Sequence, residues 1–229
     1  MYICEMPKPR EEDAYSDSLS QCPRGVLATG AKKVLDEIQG GAYKLKPNCA
    51  ERIHSPKNIV VSGDSAGGNL TIALLRYISE YGSEINLPTP SAAVLWSPWI
   101  DPSDISGSYV HDNINYKTDY LSPTFTHWGT HAYAGLPGVQ TLSQPYISQK
   151  NKPFKCDVPT WVNVGGSEIL YFDVVEWAQK MKEAGNDVEL DIDENLPHDV
   201  LAVGNILGFN KEAVGMAKRA GEWLKAHGK

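Results

Sequence analysis

The sequence predicts an α/β fold, with a mostly parallel sheet flanked by helices. Three observations carry this. Short apolar, β-branched runs such as Ile59-Val60-Val61 alternate with longer amphipathic segments. The amphipathic segments repeat at helical spacing, as at Leu70, Ala73, Leu74, Tyr77 and Ile78. Glycines and prolines punctuate the junctions, among them Gly40-Gly41, Pro88, Pro90 and Gly185. Strands that are apolar throughout are buried on both faces, and parallel strands covered by helices meet that condition.

Residues 1–21 are polar and are expected to be poorly ordered, with residues 22–229 forming one domain. Pro23 opens a helix whose stripe is Val26, Leu27, Val34, Leu35 and Ile38; Gly40-Gly41 ends it and 42–57 reads as a loop. A strand follows at 58–62, then the helix through Ile78, then a second strand at 92–96. Residues 97–157 read as irregular and rich in aromatics, with His111 in a polar loop. One helix is expected there, after Ser122-Pro123, a cap followed by proline at the first helical position. A third strand is expected over 158–164, a helix over 170–184 closed by Gly185, and a fourth strand over 188–192. The last helix opens at Asn210 and carries Val214, Ala217, Ala220, Trp223 and Leu224 on one stripe.

The chain has 229 residues, enough to bury a substantial core. Its formal net charge of −7 disfavours nucleic acid and anionic membrane as main partners. Cys4, Cys22, Cys49 and Cys156 form no C-x-x-C pair and no zinc-finger spacing, so they read as free thiols of a reducing compartment, with a secreted protein holding two disulfides as the alternative. The start, MYICEMPKPREEDAYSDS, has no secretory apolar core, and no apolar run is long enough to span a bilayer; a cytoplasmic location is expected. Asn69-Leu70-Thr71 matches a glycosylation sequon but falls at the start of a helix, where it carries little weight.

The chemistry centres on Gly63-Asp64-Ser65-Ala66-Gly67-Gly68, a G-x-S-x-G between a strand and a helix. A serine on such a strained turn has its hydroxyl lifted clear of the sheet. Gly63, Asp64, Gly67 and Gly68 build the turn, and side chains at 63 and 67 are expected to clash with neighbouring backbone. The following helix presents its free N–H groups, and that of Ala66 is expected to face a developing oxyanion. A serine nucleophile needs a base, and the base needs an orienting carboxylate. His198 lies beyond the fourth strand, at the edge where ligand chemistry gathers in open α/β sheets. His111 comes too early for the order serine, acid, histidine, and His227 is terminal. His127 and His131 are four apart on a helix but lack the glutamate of a zinc protease, so no metal is read there. The acid should follow the third strand: Glu168 comes directly off its end, and Asp173 sits within the helix start, where it favours the dipole. Glu168 is preferred.

These residues resemble the hormone-sensitive-lipase-like carboxylesterases of the α/β-hydrolase superfamily. The resemblance rests on Gly63-Asp-Ser-Ala-Gly-Gly-Asn-Leu70, Ser97-Pro-Trp-Ile-Asp101, Asp119-Tyr-Leu-Ser-Pro123, Glu168-Ile-Leu170 and His198, and runs from about residue 24 onward. It implies a partial α/β-hydrolase fold and a small-molecule ester substrate, attacked by Ser65 with His198 as base and Glu168 as acid. No metal or organic cofactor is implied. The aromatics between 96 and 133 are expected to line or cover the pocket, favouring a bulky apolar acyl or alcohol group. The family's H-G-G-G oxyanion loop has no counterpart in the sequence. The expectation is a chain lacking the usual first strands: a truncated hydrolase, a shortened gene model or a degenerate homologue. The competing function is a non-catalytic small-molecule-binding homologue. A further expectation is that the strand at 58–62 lacks an outer neighbour, so that the isolated chain is marginally stable, pairs with a second copy, or recruits residues 1–21 or 42–57.

Overall fold

The computed structural model describes residues 59–104, 108–135 and 138–227. The expected segment 1–21, the helix after Pro23, the loop 42–57 and three of the four cysteines lie outside the described residues.

Among the described residues four parallel strands stand in the order β1-β2-β3-β4: β1 Val60–Asp64, β2 Ala92–Trp96, β3 Thr160–Gly165 and β4 Val188–Asp193. The helices are α1 Ser65–Tyr81, the one-turn α2 Ser108–His111, α3 Pro123–Ala134, α4 Tyr171–Glu183, α5 Val200–Leu207 and α6 Asn210–His227. Alternate strand residues serve opposite cores. Ala93, Leu95, Val162 and Val164 pack with Ile72 and Leu75 of α1 and with Val174, Trp177, Ala178 and Met181 of α4. Ala92, Val94, Trp96 and Trp161 pack on the other face with Met216, Ala220 and Trp223 of α6. This explains why β2 reads as an unbroken apolar run. Trp96 and Trp161 meet edge to face with centroids 5.0 Å apart, a geometry that adds to simple area burial.

The elements differ from the sequence reading in three places. β1 starts and ends two residues later than expected and runs into the glycine turn, because Gly63 and Asp64 pair with Leu95 and Trp96. His111 ends the short α2 instead of lying in a loop. α5 was not anticipated. The remaining elements stand within about two residues of their expected ends. Ser122 caps α3 as its sequence suggests, its hydroxyl accepting the Phe125 N–H at 3.2 Å.

All four strands run the same way, so their carboxyl ends share one edge. Ser65 follows β1, Ser97 follows β2, Glu168 lies three residues beyond β3, and His198 lies beyond β4.

Candidate active site

The turn into α1 has no spare residue: β1 ends at Asp64 and the helix begins at Ser65. Ser65 is forced to φ +49°, a left-handed conformation unusual for serine. The chain folds back so tightly that a Cβ on Gly63 would lie 2.2 Å from the Gly67 carbonyl oxygen. The expected clash at Gly67 is not found: its nearest neighbour would be an Asp64 carboxylate oxygen at 3.8 Å. The second close approach is at Gly68, where a Cβ would lie 2.7 Å from Pro98 Cβ, beneath the segment leaving β2. Asp64 is the extended residue before the helix and makes no side-chain cap. Ala66 lies in the first turn of α1, where N–H groups have no intrahelical acceptor.

His198 Nε2 lies 2.9 Å from Ser65 Oγ. On the other side of the ring, Glu168 Oε2 is 3.6 Å from Nδ1. That is an ion-pair separation and longer than a hydrogen bond. Nδ1 and Glu168 Oε1 both lack a hydrogen-bond partner among the described residues. Glu168 is fully buried, and its Oε2 accepts the Ser97 hydroxyl at 2.6 Å. Asp173, the other candidate acid, turns elsewhere and pairs with Lys150 Nζ at 2.6 Å. Burial works against the charged form of the His198 ring. The carboxylates of Glu168, Asp199 and Asp119 outweigh it and leave the imidazole pKa above the ordinary histidine value. Asp199 is pushed up to about 7, by burial first, with Asp64 and Glu168 adding and His198 opposing.

Two members of the site carried no role in the sequence reading. Ser97, itself at φ +42°, bonds Glu168 and accepts the Asp199 N–H at 3.0 Å. Asp119 accepts the His198 N–H at 3.2 Å. Both stand in motifs that sequence singled out, but their contacts cross between separate loops and no local pattern encodes them.

The other histidines stay apart. The His127 and His131 rings lie 4.5 Å apart on α3, tilted at 57°, and among the described residues no group of three or more metal-binding side chains gathers. His111 faces Asp112 at 2.9 Å, and His227 Nδ1 contacts the Trp223 carbonyl. Asn69 is fully buried. Its amide donates to the Trp99 and Ile147 carbonyls and accepts the Tyr133 hydroxyl, which leaves the sequon no free acceptor. Of the aromatics in 96–133, the Tyr120 ring lies 6.0 Å from His198, Trp99 packs on Tyr133, and Phe125 and Trp128 are exposed.

A protein family described as the alpha/beta hydrolase fold matches residues 14–202, and the chain belongs to it. Esterase LipU of Mycobacterium tuberculosis is 27% identical over 176 residues, which are 75% of this chain and 56% of LipU. A triacylglycerol lipase of the same organism is 48% identical over 144 residues, 58% of this chain and 31% of the lipase. The crystal structure of an esterase from the bacterial hormone-sensitive lipase family superposes with a TM-score of 0.63 at 27% identity, covering 76% of this chain and 55% of that one. The hormone-sensitive-lipase-like resemblance read from the glycine turn therefore holds. The chain spans about half the length of LipU and of that esterase. Among the described residues no helix is long and apolar enough to cross a membrane.

Proposed function

We propose that this chain hydrolyses carboxylic esters of small molecules through an acyl-enzyme on Ser65. The observation that carries the reading is the 2.9 Å contact of His198 Nε2 with a serine hydroxyl held on a left-handed turn. His198 takes the Ser65 proton as Oγ bonds to the acyl carbon. Negative charge gathers on the former carbonyl oxygen, where the Ala66 N–H and the positive end of α1 stabilise it. The ester C–O bond breaks and His198 returns the proton to the departing alcohol. Water then attacks the acyl carbon as His198 takes its proton, the Ser65–acyl bond breaks as His198 returns that proton to Oγ, and carboxylic acid is released. Glu168 holds the ring orientation and stabilises the imidazolium.

Turnover of p-nitrophenyl acetate by the 229-residue chain, with Ser65→Ala beside it, tests this. A Ser65-dependent rate is expected, and a slow one: the sequence contains no H-G-G-G, and one missing oxyanion donor typically costs ~10²–10³ in rate. Equal rates for the two proteins would reject the hydrolase and favour a binding protein that retains the fold without the chemistry.

We further propose self-association through β1. Among the described residues β1 is paired on one side only, by β2. Its Val60 and Val61 carry no charge or proline to block a second strand. Sedimentation that depends on protein concentration, with slow amide exchange at Val60 and Val61 in the associated form, is the expected result. A monomer at every concentration rejects a second copy, and slow exchange in that monomer favours residues 1–21 or 42–57 as the cover instead.

A further inference from the structure

The segment before α3 grips the loop that carries Glu168. Asn115 Nδ2 donates to the Gly166 and Glu168 carbonyls at 3.1 and 2.9 Å. Asn113 Nδ2 donates to the Ile169 carbonyl at 3.0 Å, and the Thr118 hydroxyl donates to the Ser167 carbonyl at 2.9 Å. Asp119 reaches further. Its Oδ2 accepts the Ile169 N–H at 2.8 Å, one residue past the acid. Its Oδ1 accepts the His198 N–H at 3.2 Å and the N–H of Tyr120 at 2.8 Å. One carboxylate thus spans the loop after β3 and the loop after β4.

We propose that Asp119 is a positioning residue: it locks the Glu168 loop to the His198 loop and so sets the separation and orientation of the acid and the base. The proposal rests on reading Ser65, His198 and Glu168 as the catalytic set. The two loops leave different strands, and a backbone N–H bound to a carboxylate is among the stronger hydrogen bonds available to them. The same carboxylate places a fixed negative charge near the ring, and it appears among the groups that raise the His198 pKa. A base must be neutral to accept a proton, so the acid limb of kcat/KM lies above the ordinary histidine value of about 6.5, and activity falls as pH drops through it. Removing the Asp119 charge makes the imidazolium less favourable and moves that limb to lower pH.

Asp119→Asn in the full chain tests this. The amide keeps the size of the side chain but turns one acceptor into a donor, which then opposes a backbone N–H. Amide exchange at Ile169 or His198 is expected to accelerate about tenfold or more, while exchange along β3 stays as in wild type. The His198 ring, its NMR signal assigned by loss in His198→Gln, is expected to titrate at lower pH. kcat is expected to fall about 10²-fold, the cost of a small misplacement of reacting groups, with KM little changed. Thr118→Val, which releases the Ser167 and Asn115 carbonyls but keeps the Asp119 carboxylate, should leave the ring titration in place. A folded Asp119→Asn protein with unshifted titration and unchanged exchange overturns the proposal. So does a fall in kcat that only tracks the folded fraction. Asp119→Ser, which retains one short acceptor, serves if the Asn variant fails to fold; unfolding of both assigns Asp119 to the fold as a whole and also overturns it. Absence of Ser65-dependent turnover in wild type would sink the hydrolase reading alone, since ring titration and exchange still decide the role of Asp119.

Discussion

His198→Ala is expected to lower ester turnover to the floor left by Ser65→Ala, a loss of about 10⁴-fold, and the double variant is expected to be no slower than either single one. The 2.9 Å contact between Nε2 and Oγ is the reason. A serine hydroxyl at neutral pH is a weak nucleophile, and the ring that takes its proton has no nucleophile to deprotonate once the hydroxyl is gone. The two side chains act on one proton, so removing either removes the same step. The measurement is kcat/KM for the three variants on one p-nitrophenyl ester. Losses that add on a logarithmic scale would show that the pair does not work as a unit, and the assignment of His198 as base would fall.

Gly63→Ala is expected to cost at least ~3 kcal/mol of stability, from overpacking against rigid backbone. The added methyl would lie 2.2 and 2.4 Å from the carbonyl oxygen and carbon of Gly67 and 2.6 Å from the Thr71 hydroxyl. None of these can swing aside. Gly67 and Thr71 are inside α1, with the Thr71 hydroxyl bonded to the Gly67 carbonyl at 2.9 Å. On the other side, Gly63 is held in register opposite Leu95. Against a typical domain stability of 5–15 kcal/mol this is a large fraction. Gly67→Ala is the internal contrast. It meets ordinary van der Waals space and replaces a glycine inside a helix, so it is expected to be neutral or stabilising by up to ~1 kcal/mol. Urea midpoints of the two variants check the pair; equal destabilisation would contradict the geometry of the turn.

The contrast between these glycines also shows what sequence can and cannot carry. The strands were legible because burial on both faces writes a continuous apolar run, as in Ala92–Trp96. The position of Ser65 was legible because a glycine turn between a strand and a helix is a local pattern. The need for glycine at 63 was legible from the same turn, but the second tight position was not: it falls at Gly68 and not at Gly67, because Gly68 is confined by Pro98, a neighbour brought there by the return of β2. α5 was missed for a related reason. Its start at Asp199 is left-handed with no side-chain cap, and Gly204 interrupts its interior, so neither a capping signal nor a clean helical stripe announces it. Ser97 and Asp119 stand in recognisable motifs, but their partners Glu168, Ile169 and His198 lie on distant loops. Spacing along the chain gives no access to such contacts. Glu168 over Asp173 could be preferred from sequence because a residue directly off a strand end sits at the sheet edge, whereas one inside the helix is turned away. In the structure Asp173 faces Lys150.

Four non-glycine residues among the described ones have left-handed backbones: Ser65, Asn86, Ser97 and Asp199. Asn86 is exposed on the turn after α1, and asparagine tolerates that conformation. The other three touch one another or the residues of the site. From an engineer's standpoint, the conformational tension of this chain is gathered at the sheet edge where its chemistry would occur. Thermal hardening therefore has to be sought far from that edge, on the outer turns of α4 and α6, because relaxing the three bent residues would flatten the geometry that holds Ser65, Glu168 and His198 in reach of one another.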